Sequence, residues 1–575
     1  MGAISLNETT SIPSGDSTRS SIGRQTTYSL AIPTVFVLVV YALLIVVTRT
    51  LDQGDTGIYA EDIVKRLHGP APEIWDFGHA IWRPIGYALL RVISPTSARA
   101  PEAFAYARAT LALTILSVAG GAVALVSLVA WLRRVGLPLT IVALIAVGFS
   151  CAAAFLGYAQ TGSSYVPALG MLLVGLNGIA AADDNPNKWT VVWTSAAFAA
   201  AVLFWFPMVL GVPAAAISMI VLRGNDRRRR TVAIAACTIS GSLTIVVYVI
   251  VALLAGVRSI AGFKAWMAHA SNGIAGIGGL PRAVIGFARS ILNMDRLGLV
   301  TKRHLIHDPY NPTSWSDILS AGLLRLAAFY VVFGVVAIVL MRRPSGRRTL
   351  AFLVLTAIPV VGFALFWQGG DLERYLALFP AAFLALAVAL TSLPERTSVV
   401  VAGAGVVLLA AANLPAISRG KSRHECAILS SRLGSIPQGA SGASMVITPH
   451  AMDEIATFRS RCPNAPILSN PSPPQVYGLV MPNTVTAPTW RDTLAARAAR
   501  TWATGGRVWI SRRAFRATPA ADWKWAEGDE PSVRWRDFPA YFDSVDVGPP
   551  VGGADGFVEL LPTLRTRQKL QPAQH

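Results

Sequence analysis

The chain has 575 residues, of which 53% are hydrophobic and 14% are charged, and its mean hydropathy is +0.50. Soluble domains are typically about 25% charged, so this balance excludes a disordered chain, a collagen-like fibre and a disulfide-rich secreted scaffold. The formal net charge of +19 does not indicate a nucleic-acid surface, because the basic residues stand in short clusters between apolar runs. The composition therefore predicts a protein that spans a membrane many times.

The apolar runs predict a bundle of transmembrane helices, since a helix needs roughly 20 mainly apolar residues to cross about 30 Å of hydrocarbon. We expect about eleven spans on this criterion. The runs lie near 31–47, 106–132, 138–158, 165–182, 189–205, 208–222, 231–256, 320–341, 349–367, 374–392 and 398–417. The stretch 189–222 is long for one helix and short for two, and Pro207 favours a tight hairpin there. Residues 1–30, polar and rich in Ser and Thr, are predicted to form a disordered cytoplasmic tail.

Arginine clusters predict the orientation of the bundle. They stand in alternate connections, at Arg133-Arg134, at 223–230 and at 342–348. Because Lys and Arg concentrate in cytoplasmic loops, we expect these connections and the N-terminus to be cytoplasmic. An odd number of spans then puts the long loops 48–105 and 257–319, and the tail after residue 417, on the extracytoplasmic side of a bacterial-type inner membrane.

The tail 418–575 is long enough to form a domain of its own. Its alternating pattern predicts a small α/β domain, with strands at 444–448 and 507–511 and helices at 451–459 and 490–502. Cys426 and Cys462 can form a disulfide if this domain faces an oxidising compartment; two free buried thiols are the alternative. The predicted fold class is thus a mostly α, polytopic membrane bundle, residues 31–417, followed by an extracytoplasmic α/β domain.

The first long loop concentrates groups that can do chemistry. Asp52 and Asp55 directly follow the first span, and a carboxylate at that depth is costly unless it is paired, hydrated or used. From Ile58 to Leu67 the apolar residues share one helical face, which predicts a helix lying in the membrane interface. Capping of that helix is the alternative role for the two aspartates, because Asp is a good N-cap residue. Farther along, His79 and Arg83 stand close together between aromatic residues.

These residues carry a resemblance to a known family. The stretch Gly54–Gly57, with the sequence Gly-Asp-Thr-Gly, followed by His79 and by Pro84–Tyr87, resembles the first-loop signature of the GT-C glycosyltransferases. Those are polytopic enzymes that take sugar from a polyprenyl-phosphate carrier, and protein O-mannosyltransferases and aminoarabinose transferases share their plan. The second motif departs from the family pattern, because Ala-Ile-Trp-Arg separates His79 from Pro84. The stretch Gly370–Tyr375, at the mouth of a late span, is a second point of likeness.

The resemblance implies roles for several of these residues. Asp55 is expected to be the base that takes the acceptor proton, since a carboxylate at a low-dielectric boundary can have a raised pKa. Asp52 would assist it or join it in binding a divalent ion. Members of the class act with and without metal, so Mg²⁺ or Mn²⁺ stays open and no cofactor is certain. Arginine suits the leaving lipid phosphate, with Arg374 the first candidate and Arg83 the second.

Other candidates for substrate binding come from the same loops and from the other predicted mouths. They are His79, Glu373, Tyr375, Gln160, Lys302 and Arg303. For Gln160 the alternative is a simple turn, and for Lys302 and Arg303 it is a solvated basic loop that touches lipid head groups.

The sequence is compatible with three functions. The favoured one is a membrane glycosyltransferase that moves a sugar from a polyprenyl-phosphate donor to an unknown acceptor on the extracytoplasmic side, with the bilayer but no nucleic acid as a partner. The first alternative is a transporter or flippase for a lipid-linked substrate, and the second is a non-catalytic assembly protein. Transporters usually place polar residues at the bilayer midplane on broken helices, whereas these runs are nearly free of charge.

Overall fold

The computed structural model describes most of the membrane part of the chain and a smaller share of the C-terminal region. The described residues are 17–48, 55–99, 102–182, 187–223, 227–269, 279–294, 297, 300–301, 304, 313–367, 369–417, 445–448, 475–478, 489–512, 542, 544–551 and 557–570. Several predictions fall outside them and stay predictions: those for Asp52, Lys302, Arg303, Cys426, Cys462 and the helix at 451–459.

Helices form the membrane part of the chain. They are α1 (Ser17–Thr48), α2 (Thr56–His68), α3 (Trp82–Ile93), α4 (Glu102–Arg134), α5 (Leu139–Cys151), α6 (Ala153–Ala159), α7 (Tyr165–Ala181), α8 (Lys188–Phe204), α9 (Met208–Arg223), α10 (Arg227–Leu254), α11 (Ile260–His269), α12 (Leu280–Ile291), α13 (Trp315–Met341), α14 (Pro344–Phe366), α15 (Phe379–Leu390) and α16 (Glu395–Ile417). A 3₁₀ turn, Leu372–Leu378, leads into α15.

Seven helical segments in the described part are long and apolar enough to cross a membrane, and the pair α5–α6, bent by 68°, is an eighth if it is one span. The chain is therefore a multi-pass membrane protein. The predicted count of about eleven spans is not confirmed, because α7, α8 and the apolar part of α9 are shorter than the seven. The hairpin predicted at Pro207 is present, since α8 ends at Phe204 and α9 begins at Met208.

The first helix starts earlier than its composition suggested. α1 begins at Ser17 and so extends into the stretch 1–30 that was predicted to be a disordered tail. Once a helix is nucleated, each further residue adds a hydrogen bond, so helix can continue beyond the apolar run. Polarity alone therefore placed that boundary too late.

Both long loops contain short helices. α2 and α3 occupy the first loop, where α2 confirms the helix predicted at 58–67, and α11 and α12 occupy the second. The apolar face of α2 is buried against α4, with Tyr59 and Ile63 in one core cluster with Tyr106 and Leu113. The first loop is thus a packed layer on the bundle.

The C-terminal region contains a four-stranded sheet of order β2-β1-β3-β4. Its strands and helices are β1 (Met445–Thr448), β2 (Gln475–Gly478), α17 (Thr489–Ala503), β3 (Val508–Ser511), β4 (Phe557–Leu560) and α18 (Leu564–Leu570). β1 pairs in parallel with β2 and β3, placing Val446 opposite Val476 and Trp509, and β4 is antiparallel to β3. The predicted α/β class is confirmed here, as are the strands at 444–448 and 507–511 and the helix at 490–502.

α12 lies with its backbone against the segment that joins α14 to α15. A Cβ atom on Gly286 would overlap the carbonyl oxygen of Gly369, and one on Gly279 would overlap that of Leu365. Such close approach of two backbones requires glycine. The Tyr375 hydroxyl donates to the same Gly369 carbonyl at 2.7 Å. This hydrogen bond holds the 3₁₀ turn next to the contact with α12.

The Gly286→Ala substitution should destabilise the protein by about 1–3 kcal/mol, because the added methyl group forces α12 away from Gly369. Gly334→Ala in α13 is the matched control, since no atom lies within 4 Å of a Cβ there and alanine favours helix over glycine. Thermal unfolding in detergent measures the difference. Equal melting temperatures for the two variants would contradict this account of the contact.

Candidate functional site

The first loop is hydrogen-bonded to the turn between α6 and α7. The Thr56 hydroxyl at the start of α2 donates to the Thr161 carbonyl, and the Trp82 indole donates to the Gly162 carbonyl at 2.9 Å. Gly162 has a φ of +76°, and a Cβ atom on it would press on Thr56 and Leu113. Glycine at this position thus lets α2 lie against the turn, which brings the first loop to the start of α7.

Asp55 directly precedes α2, but its side chain makes no capping hydrogen bond. Instead its Oδ2 accepts hydrogen bonds from the hydroxyls of Tyr59, at 3.2 Å, and of Tyr165, at 2.8 Å. Burial raises the pKa of Tyr59 and the charge of Asp55 raises it further, so this phenol stays protonated as a donor. The carboxylate is half-buried and therefore keeps some accessible surface. The capping alternative is not the role that this side chain has.

His79 contacts the two tyrosines that donate hydrogen bonds to the Asp55 carboxylate. Its ring centroid is 5.1 Å from that of Tyr59 and 5.7 Å from that of Tyr165. Its Nδ1 lies 3.0 Å from the Phe204 carbonyl oxygen and 2.7 Å from the Ser164 hydroxyl. Burial lowers the pKa of His79, so the imidazole is neutral at neutral pH. These contacts favour a role in positioning the two tyrosines over the predicted direct contact with substrate.

Arg83 lies in a buried ion cluster under α2. Its guanidinium is 2.8 Å from Asp62, 3.6 Å from Asp76 and 2.7 Å from the Glu73 carbonyl, and it lies 4.9 Å from the centroid of the Tyr59 ring. Burial raises the pKa of Asp62 to about 6, although Arg83 and Lys65 oppose the shift. Because the guanidinium is engaged by the protein's own carboxylates, the geometry favours a structural role over the predicted phosphate contact.

The 3₁₀ turn before α15 carries the second group of candidate residues. Glu373 is buried and accepts a hydrogen bond from the Tyr158 hydroxyl at 2.6 Å, and its other oxygen lies 3.6 Å from Nε of Arg374. Nη2 of Arg374 lies 3.8 Å from the carboxylate of Asp371, whose side chain is 44% exposed. Arg374 thus stands between a buried carboxylate and one that reaches solvent.

Two tyrosines join these groups. Tyr165 donates to Asp55 and Tyr158 donates to Glu373, and the two rings meet edge to face with centroids 5.0 Å apart. Asp371 is influenced by the charges of both groups of residues, the one around Asp55 and the one around Arg374. Burial and then the charge of Glu373 raise the pKa of Asp371 to about 7, Arg374 lowers it, and Asp55 raises it. Asp55 and Arg374, predicted from separate motifs, therefore belong to one site.

Gln160 and Tyr375 are buried and bonded within the protein. The Gln160 amide donates to the Thr48 hydroxyl at 2.8 Å and to the Leu156 carbonyl at 3.0 Å, which ties the end of α1 to α6. Tyr375 is held by its bond to Gly369. Both sets of contacts favour structural roles for these two residues over the predicted substrate contacts.

Sequence reasoning did not assign roles to Tyr158, Asp371, Asp62 or Asp76. Tyr158 sits in an apolar run and Asp371 within a quoted motif, so neither stands out by pattern. Two neighbouring acidic residues, Glu61 and Asp62, are visible in the sequence of α2. No local pattern shows that Asp62 pairs with Arg83.

No cluster of three His, Cys, Asp or Glu side chains within the described ranges is arranged to hold a metal ion. Asp52, the predicted partner of Asp55 at a Mg²⁺ or Mn²⁺ ion, lies outside those ranges. The polar contacts found for Asp55 are the two tyrosine hydroxyls described above. The metal therefore stays an open prediction.

Comparison with protein-family models gives no match, and comparison with curated proteins finds no significant one. Solved structures do match. The crystal structure of ArnT from Cupriavidus metallidurans bound to undecaprenyl phosphate aligns over 92% of this chain and 98% of its own, at 14% identity and a TM-score of 0.51. The apo structure of the same protein aligns over 93% and 98%, at 12% identity and a TM-score of 0.48. The chain thus has an ArnT-like fold, and the predicted GT-C-like plan is confirmed at the level of fold.

The Arg83→Met substitution should destabilise the protein by about 3–5 kcal/mol at pH 7, because it leaves buried carboxylates without their cation. The deficit should shrink toward pH 5, because burial raises the pKa of Asp62 to about 6 and its protonation removes part of the uncompensated charge. Arg91→Met, at an exposed position on the same helix, is the control. Thermal unfolding at pH 5 and pH 7 tests this, and a deficit that is equal at both values would count against the cluster.

Proposed function

We propose that this chain is a membrane glycosyltransferase that moves a sugar from a polyprenyl-phosphate donor to an acceptor. The observation that carries the proposal is the line of contacts from Asp55 through Tyr165 and Tyr158 to Glu373 and Arg374, which supports a candidate base and a candidate phosphate ligand acting in one site. The ArnT-like fold supports it, since that structure is bound to undecaprenyl phosphate. A fold alone does not imply a function, so the contacts of the site are the stronger support.

The chemistry follows from these two groups. The Asp55 carboxylate takes the proton from the acceptor as the acceptor attacks the anomeric carbon of the sugar. The bond between that carbon and the phosphate oxygen breaks, and the electron pair leaves with the lipid phosphate. The Arg374 guanidinium stabilises the charge that develops there. Tyr59 and Tyr165 keep the carboxylate oriented toward the acceptor through their hydrogen bonds to Oδ2.

We further propose that the site faces the extracytoplasmic side. Its residues come from the connections after α1, between α6 and α7, and between α14 and α15. The arginine clusters lie in other connections, between α4 and α5, α9 and α10, and α13 and α14. Basic residues favour the cytoplasmic side, so the site falls on the opposite one, together with the C-terminal domain that follows α16.

The Asp55→Asn variant should lose on the order of 100-fold or more in kcat, because an amide cannot accept the proton. Its affinity for undecaprenyl phosphate should change little. The assay measures release of undecaprenyl phosphate from a panel of undecaprenyl-phosphate sugars by purified protein in nanodiscs. Glu61→Gln is the matched control, since Glu61 is a partly exposed carboxylate on the helix that follows Asp55, where it pairs with Lys65.

Two results would overturn the assignment. Full activity in Asp55→Asn would remove Asp55 as the base. A wild-type protein that releases nothing from any donor, but moves a fluorescent polyprenyl-phosphate sugar across a vesicle membrane, would establish the flippase alternative instead.

Donor binding should depend on pH through Asp371. Its raised pKa of about 7 means that the carboxyl is protonated below pH 7 and charged above it. The charged form competes for Arg374 and repels a phosphate, so KM for the donor should rise as pH increases through 7. Asp371→Asn should give a lower KM at pH 8 and no inflection near pH 7. KM profiles from pH 5.5 to 8.5 test this, and an inflection retained in Asp371→Asn would assign it to another group.

A further inference from the structure

Asn413 is a fully buried polar residue near the end of α16, a helix with mostly exposed or half-exposed side chains. In a membrane helix a polar side chain is costly unless its hydrogen bonds are satisfied. An Asn retained there is therefore expected to make specific contacts across helices.

The carboxamide of Asn413 makes three hydrogen bonds, all to backbone groups. Nδ2 donates to the carbonyls of Cys151, at 2.7 Å, and Ile291, at 2.8 Å, and Oδ1 accepts from the Asn293 N–H at 2.7 Å. Cys151 is the last residue of α5 and Ile291 the last residue of α12. Terminal carbonyls of a helix lack the usual intrahelical donor, and here one side chain supplies donors to two different helix ends.

Both of these helix ends lead to the candidate site. Past the bend at Ala152, α6 carries Tyr158, which donates to Glu373. α12 packs through Gly286 against Gly369, at the start of the segment that carries Arg374. Asn413 thus contacts both supports of the second half of the site, although it lies in neither.

We propose that Asn413 is a positioning residue of the transfer site. Its carboxamide holds the bent pair α5–α6 and the end of α12 in the relative position that lets Tyr158 meet Glu373 beside Arg374. The kinetic test of this role rests on the proposed glycosyl transfer, whereas the structural test below does not.

The structural test uses the native thiol of Cys151, which is 2% exposed. Asn413→Leu keeps a similar volume but removes all three hydrogen bonds. In that variant a membrane-permeant maleimide should modify Cys151 at least tenfold faster than in the wild type, as measured on the Cys151 peptide by mass spectrometry. Leu408→Ala, at a 69% exposed position of the same helix, is the control and should label at the wild-type rate.

The kinetic test uses Asp371 as a reporter. Burial and the charges of Glu373 and Asp55 raise the pKa of Asp371, whereas Arg374 and Arg289, which lies in the last turn of α12, lower it. If α12 shifts, the influence of Arg289 weakens. The pH midpoint of donor KM should then move up in Asn413→Leu, by about half a unit or more, and kcat should fall at least tenfold. A loss of stability alone would lower the active fraction without moving the midpoint.

Asn413→Ala provides a second uncharged variant if the leucine protein does not fold. It removes the same three hydrogen bonds without placing methyl groups against the two carbonyls, so both effects should again be present. Cys151 labelling at the wild-type rate in these variants would overturn the positioning role outright. Faster labelling with an unchanged pH midpoint and kcat would confine Asn413 to general packing. Faster labelling in Asn413→Leu, with no transfer activity even in the wild type, would support the role of Asn413 in holding the ends of α5 and α12 together. The same result would contradict the proposed function.

Discussion

The hydrogen bond from Tyr165 to Asp55 is the contact on which the rest of the site depends. It exists only because α2 lies directly on the turn between α6 and α7, where Gly162 admits Thr56 and Trp82 reaches a backbone carbonyl. Turn carbonyls at a membrane boundary need donors as much as helix ends do. The same bonds that satisfy the turn therefore bring the carboxylate to the bundle.

The second half of the site depends on close backbone approach rather than on side-chain pairing. Gly286 and Gly369 let α12 touch the segment before α15. The Tyr375 hydroxyl holds that segment by donating to the Gly369 carbonyl. The segment then presents Glu373, Arg374 and Asp371 toward Tyr158 and Asp55. Burial, and then the charge of Glu373, raises the pKa of Asp371 to about 7, and charges gathered in this way interact strongly because water is partly excluded.

The arrangement separates residues that can act on a substrate from residues that hold them. Asp55 keeps exposed surface and Arg374 borders the half-exposed Asp371. Arg83, Gln160 and Tyr375 use their polar groups within the protein, and His79 supports the tyrosines around Asp55. The likeness to ArnT supplies the fold at 14% identity. Arg374, unlike Arg83, lies beside a carboxylate that reaches solvent, which is the reason for assigning the lipid phosphate to it.

The sequence by itself determined the membrane class, the hairpin at Pro207, the helix after Asp55, the strands β1 and β3 of the C-terminal sheet and the helix α17. These follow from local composition and periodicity, which report the length of an apolar run and the face that it buries. Only the tertiary structure decided that Asp55 meets Tyr165 and that Arg83 is enclosed by Asp62 and Asp76. Partners that lie on different segments leave no local trace in the sequence, because their contact depends on how those segments pack in three dimensions.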